Sequence, residues 1–290
     1  MSSDVDEWID KAIPAGSGRY YALLHSDSGL QKQQRLITTL VSIFSQLGFQ
    51  SREIEVAKHK LEWWRQELEK ESFDHPVMIA LADSIATADE TKPATLPPAI
   101  RKHLKVLLEG YGGLLDTGSP SSDEQNQQFH HNTGATACQL ICSTDNDAAA
   151  VANVGVALSK FRCHRYLRQH VDHGLLCLPM SSLDAAGISP ALLTPAAADE
   201  KVINFIAESL EQLQEEMQQS SSALDNYIKE IPAGQRGNYK CLSVYLSLQI
   251  KLLQVMRKDD ISVVEQVTRL TPIRNYWYAY RAARKFDKSA

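Results

Sequence analysis

Between residues 163 and 177 the chain gathers side chains that could hold a metal ion or a phosphate: Cys163, Arg165, Tyr166, Arg168, His170, His173 and Cys177. Cys163, Tyr166, His170 and His173 follow one another at steps of three, four and three, which sets them along one stripe of a helix. Thiolate and imidazole suit zinc, iron or copper better than a hard ion such as magnesium. Cys163, His170 and His173 are therefore a candidate soft-metal set, with Cys177 just past the expected end of the helix. The plainer reading makes them ordinary core and surface residues, because no dense ligand pair stands out. His130-His131 could add imidazoles from another helix; the simpler expectation is one buried, hydrogen-bonded ring and one facing solvent.

Other chemistries find little support. There is no Gly-rich phosphate loop, nucleophile elbow or HExxH helix. Thirty Lys plus Arg against thirty-five Asp plus Glu give a formal charge of −5, so nothing points to nucleic acid as a partner. The five cysteines are an odd number without a CxxC pair, which reads as reduced thiols. With no cationic start followed by an apolar run, and no membrane-length apolar stretch, the expectation is a cytoplasmic protein. Near the end, Arg269, Arg274, Arg281, Arg284 and Lys285 interleave with Tyr276, Trp277, Tyr278 and Tyr280. That mixture suits a membrane headgroup layer or an acidic partner groove, hence a membrane-peripheral variant of the same expectation. The plainer alternative packs the aromatics on the bundle and leaves the basic groups in water.

The elements that must position these groups are helices. Apolar residues recur every three or four positions and strand-like alternation is nearly absent, so the chain reads as all-α. Helices are expected over about 31–49 (stripe Leu36, Leu40, Ile43, Phe44, Leu47), 52–71 (Ile54, Ala57, Leu61, Trp64), 75–88, 99–115, 127–142, 147–173, 200–220, 236–258 and 272–285. The polar breaks near 92–98 and 117–126 are short enough for loops, and no internal repeat is evident. One domain over 1–290 is expected, with its ordered core over about 18–286 and a frayed end from Asp287. The Glu- and Gln-rich run over 208–219 reads as a solvated helix face.

Lys60-Leu61-Glu62-Trp63-Trp64-Arg65-Gln66-Glu67-Leu68, followed by His75-Pro76-Val77 and Ala80-Leu81, resembles a run common in bacterial members of the squalene/phytoene synthase family. Tyr20-Tyr21, Arg35, Thr133-Gly134 and Gly174…Leu178-Pro179…Leu183…Gly187-Ile188 match in order and spacing. The resemblance covers about 20–183 well and the last third loosely. It implies a helical bundle of the isoprenoid synthase type with a central cavity. It also implies an activity: head-to-head condensation of prenyl diphosphates, with magnesium held by paired aspartates so that diphosphate can leave.

Here the chain departs from the pattern. The first Asp-rich motif falls near Phe49-Gln50-Ser51-Arg52-Glu53, where only Glu53 could bind metal, and the second on Arg165-Tyr166-Leu167-Arg168-Gln169-His170, where Tyr166 and His170 replace both aspartates. Asp172 lies two residues past His170, about 200° round the helix. Phe49, Gln50, Glu53, Arg165, Tyr166 and His170 are thus the candidate positions of a degenerate site, with Arg52 and Arg168 adding positive charge. The expectation is a pseudoenzyme that binds a lipid-like molecule or a protein partner and needs no cofactor; similar divergence is known among mitochondrial family members that act in respiratory complex I assembly. Two alternatives stay open: an active magnesium-dependent prenyltransferase of isoprenoid biosynthesis, and a His/Cys metal-binding helical protein.

Overall fold

The computed structural model describes residues 2–50, 53–85, 95–143, 148–194, 199–258 and 267–289, and among them every regular element is helical. In chain order these are α1 (Ser2–Ala12), α2 (Gly18–Leu23), α3 (Gln31–Gln46), α4 (Ile54–Glu69), α5 (Pro76–Ile85), α6 (Pro98–Thr117), α7 (Asp123–His130), a π-helical turn (His131–Ala135), α8 (Thr136–Cys142), α9 (Ala149–Arg165) and α10 (Leu167–Asp172). There follow α11 (Met180–Ala185), the long α12 (Glu200–Glu230), α13 (Ala233–Arg236), α14 (Lys240–Lys258) and α15 (Pro272–Ser289).

α3 forms where its stripe was expected. Leu36, Leu40, Phe44 and Leu47 are each at most 2% exposed, and burying such side chains contributes about 1.5–3 kcal/mol apiece. On α4 the stripe is Ala57, Leu61, Trp64 and Leu68; Ile54, expected inside, is 42% exposed at the first turn. Trp64 stands edge-on to Phe44 at 4.9 Å and tilted against His75 at 4.7 Å, while Trp63 is 41% exposed. His75 caps α5, its Nδ1 accepting the Val77 N–H at 3.2 Å just ahead of a proline-started first turn. The tryptophan pair and the His-Pro-Val run therefore act as a scaffold joining α3, α4 and α5.

Three expected boundaries need correction. The core begins before residue 18: Ile9, Ala12 and Ile13 are buried, and Trp8 of α1 lies 5.0 Å from the His75 ring. α12 continues ten residues past Ser220, with Leu224 and Ile228 extending its buried face. The C-terminal turn is helical to Ser289, and Asp287 pairs with Lys240 at 2.6 Å. α15 also packs differently from the plainer expectation: Ala279, Ala283 and Phe286 face the bundle, whereas Ile273, Tyr276 and Trp277 are more than half exposed. The polar side of α12 is solvated as expected, with Glu216 bridging to Lys160 of α9. No helix among the described residues is long and apolar enough to cross a membrane.

Candidate functional site

The helix expected over 147–173 is two helices within the described residues. Tyr166 leaves helical geometry (φ −107°, ψ 19°), ending α9 and starting α10. α10 then stops in a Schellman turn: Leu175 N–H reaches back to the His170 carbonyl at 2.9 Å while Gly174 takes φ +66°, a conformation that glycine adopts without strain. The following strand-like stretch is pinned to the loop after α6, Leu176 N–H to Gly118 O at 2.8 Å and Met180 N–H to Pro120 O at 2.9 Å. This return brings Cys177 back to Cys163 of α9 and His170 of α10. The ligand atoms of these three buried residues lie within 4.8 Å of one another.

The sequence-derived soft-metal set is thus corrected in one member. His173 is exposed, its Nδ1 2.8 Å from the Gln169 carbonyl of its own helix, and Cys177 occupies the third place. Burial, then the charge of Arg162, pulls the His170 pKa down to about 3, so the ring is neutral; its Nδ1 is buried without a hydrogen-bond partner. Burial and a hydrogen bond with Cys163 push the Cys177 thiol well above its ordinary value. His130-His131 divides as expected. His130 is 1% exposed with Nδ1 3.0 Å from Ser159 Oγ, and His131 is exposed.

Facing this cluster, α3 has ended and Phe49 has turned inward. Its ring stacks on His170 at 4.8 Å with planes 17° apart, and meets His173 edge-on at 5.7 Å. An aromatic stack thus joins the end of α3 to α10. Gln50 is exposed and donates to Gln46 at 3.1 Å; Glu53 is exposed at the start of α4; Ser51 and Arg52 lie outside the described residues. Arg168 is engaged by Asp172, Nε at 3.0 Å and Nη2 at 2.9 Å, while its Nη1 is buried without a hydrogen-bond partner. Magnesium requires a shell of oxygen ligands, and the donors assembled here among the described residues are sulfur and nitrogen, a set that does not fit it.

Arg165 and Tyr166 face a different space. They line a cavity of about 550 Å³ bounded by α2, α3, the π turn, α8, α9, α14 and the segment leading into α15. Its apolar wall includes Leu158, Phe161, Leu248 and Leu252, and its charged lining is cationic: Lys11, Arg19, Arg162, Arg165 and Arg269, with no carboxylate among the described residues. Lys11 is neutralised by Glu7 at 2.6 Å, but none of the four arginines has a carboxylate partner among the described residues. Arg162 lies 5.3 Å from the Tyr111 ring centre, and Arg165 lies 5.1 Å from that of Tyr166 while donating to Thr268 O at 3.1 Å. Sequence reasoning missed Arg19 and Arg162 and placed Arg269 only in the C-terminal basic and aromatic run; the i, i+3 spacing of Arg162 and Arg165 on one helix face was the available signal.

Gly134 and Gly155 make the wall between the π turn and α9. A Cβ on Gly134 would sit 2.1 Å from Gly155 O, so only glycines allow the two backbones to touch there. The arrangement as a whole is a largely apolar chamber with guanidinium groups that have no carboxylate partner among the described residues, suited to an amphiphile with an anionic head.

Comparison with known proteins agrees with the all-helical fold. The family model described as squalene/phytoene synthase matches residues 19–275. Among solved structures, a dehydrosqualene synthase in complex with ligand superposes with a TM-score of 0.75 at 12% identity, covering 99% of each chain. The squalene synthase HpnC from Alicyclobacillus acidocaldarius gives 0.63 at 14% identity over 83% of this chain and 88% of its own. At these identities the likeness is one of fold. No curated protein matches the sequence.

Proposed function

The chain belongs to the squalene/phytoene synthase family, and from that premise we propose that it is a non-catalytic member that holds a lipid-like molecule with an anionic head in its arginine-lined cavity. The observation that carries this reading is a reversal of charge. Where ionisation of a prenyl diphosphate calls for carboxylates and magnesium, the chain has Tyr166 and a Phe49–His170 stack, and the adjoining cavity presents guanidinium groups. Arginine binds phosphate bidentately without metal. It does not supply the concentrated positive charge that makes diphosphate a competent leaving group. Tyr166 and Arg165 orient the head in this reading, and the apolar wall accepts the chain.

The test pairs turnover with binding. Purified protein incubated with farnesyl or geranylgeranyl diphosphate and magnesium is expected to release no diphosphate, yet to bind the same compounds in EDTA. Arg165→Gln should weaken that binding about ten- to a hundredfold, in keeping with roughly 1.5–3 kcal/mol for a charge-assisted hydrogen bond. Magnesium-dependent release that disappears in Glu53→Gln would establish the prenyltransferase reading instead. If no amphiphile binds, docking of a protein or membrane surface becomes the better reading, for which the exposed Ile273, Tyr276 and Trp277 on α15 are the observation in favour.

A further inference from the structure

Cys163, His170 and Cys177 form a cluster that ligand binding in the cavity does not use: none of the three lines it. Their ligand atoms lie within 4.8 Å of one another in a buried setting. Two thiolates about 2.3 Å from a shared zinc ion stand about 3.8 Å apart, so closure asks for shifts of about half an ångström per atom at most. A second observation points the same way. Nδ1 of His170 is buried with no partner, whereas buried polar atoms are nearly always satisfied, and an orphan of this kind is a sign of a missing ion or water.

The cluster is also built, not incidental. Cys163 sits in the last turn of α9, His170 in α10 with its carbonyl locked by Leu175 N–H, and Cys177 on a segment fastened to Gly118 and Pro120. Ligands held on tethered elements are pre-arranged for one ion. We infer that Cys163, His170 and Cys177 bind a single zinc ion through two sulfurs and one nitrogen, leaving a fourth position for a small ligand such as water. Binding releases both thiol protons to solvent, and two thiolates with a divalent ion leave the buried site neutral. The site is independent of the cavity, so it stands whether or not an amphiphile binds there.

The probe is cobalt(II), added to the reduced full-length chain without a tag. One equivalent should produce a near-ultraviolet thiolate-to-cobalt charge-transfer band that zinc abolishes. Cys163→Ser and Cys177→Ser should each remove the band, His170→Ala should weaken binding about tenfold or more, and Cys138→Ser, outside the cluster, should leave it intact. X-ray absorption of the wild-type zinc form should give two sulfur neighbours, which keeps the question decidable should a variant fail to fold. The inference is overturned by the absence of a band in fully reduced wild type, by a band that survives both Cys163→Ser and Cys177→Ser, or by a Cys163–Cys177 disulfide found in protein kept under reductant.

Discussion

Glu67 shows how much one buried charge can organise. It is fully buried, yet its Oε1 accepts the N–H groups of Asp74 at 2.7 Å and His75 at 2.8 Å, and its Oε2 meets Lys70 Nζ at 2.9 Å. Glu67→Ala would leave two backbone donors without partners under Trp64, and a loss of about 3–5 kcal/mol is expected from the shift of the urea midpoint. Glu67→Gln, which keeps an acceptor, should lose less. His130 carries one share of the acid sensitivity, with His75, His164 and His170, whose pKa values burial also lowers: burial first, then the charge of Lys160, holds its own pKa well below 6.5. A histidine depressed in the folded state contributes stability that is present above its unfolded pKa and lost as pH falls, because the unfolded chain takes up the proton first. Thermal melts should therefore show stability declining from about pH 6.5 downward, and His130→Gln should make that decline shallower without removing it, because His170 keeps its own share. The burial of one ring in the His130-His131 pair was legible in the sequence; which ring was not, since that depends on Ser159 arriving from α9.

At the scale of elements, α9 and the π turn meet backbone to backbone. A Cβ on Gly155 would lie 2.3 Å from Gly134 O, and the obstacle is backbone that cannot step aside. Gly155→Ala is expected to cost about 3 kcal/mol or more through overpacking. Gly113 on α6 meets nothing within 4 Å, so Gly113→Ala should raise stability by about 0.5–1 kcal/mol as a helix-propensity gain. Measured side by side, equal effects at the two positions would contradict the packing account. The same contrast explains the helix reading. Periodicity located α3, α4, α6 and α14 well, because one-sided burial is written in the residues themselves. It ran through Tyr166 without seeing the break, since no glycine or proline marks it and the apolar rhythm continues into Leu167.

For the whole molecule, the arginine cluster ties stability to ligand. With no carboxylate in the cavity lining among the described residues, no acidic side chain there competes with an incoming anion for the four guanidinium groups. A prenyl diphosphate at a hundred times its dissociation constant should add about 2.7 kcal/mol. The melting temperature should rise accordingly in EDTA, and the gain should shrink with added salt. An unchanged melt would count against the cavity reading while leaving the zinc inference untouched. α1, which the sequence left outside the ordered core, belongs to this level as well: a short, strongly acidic helix is hard to read alone, and its burial arises only from docking on α3 and α5.

The all-α class and the family likeness were determined by sequence alone, because helical rhythm and the order and spacing of motif residues are properties of the chain that survive without coordinates. The companions of His170 were decided by tertiary structure. Whether Cys177 or His173 joins Cys163 depends on the Gly174 turn reversing the chain and on Gly118 and Pro120 holding the return. Likewise Arg19, Arg162, Arg165 and Arg269 become one cationic lining only because α2, α9 and the lead into α15 converge. Proximity between residues far apart in the chain is a product of packing, and no spacing rule along a helix contains it.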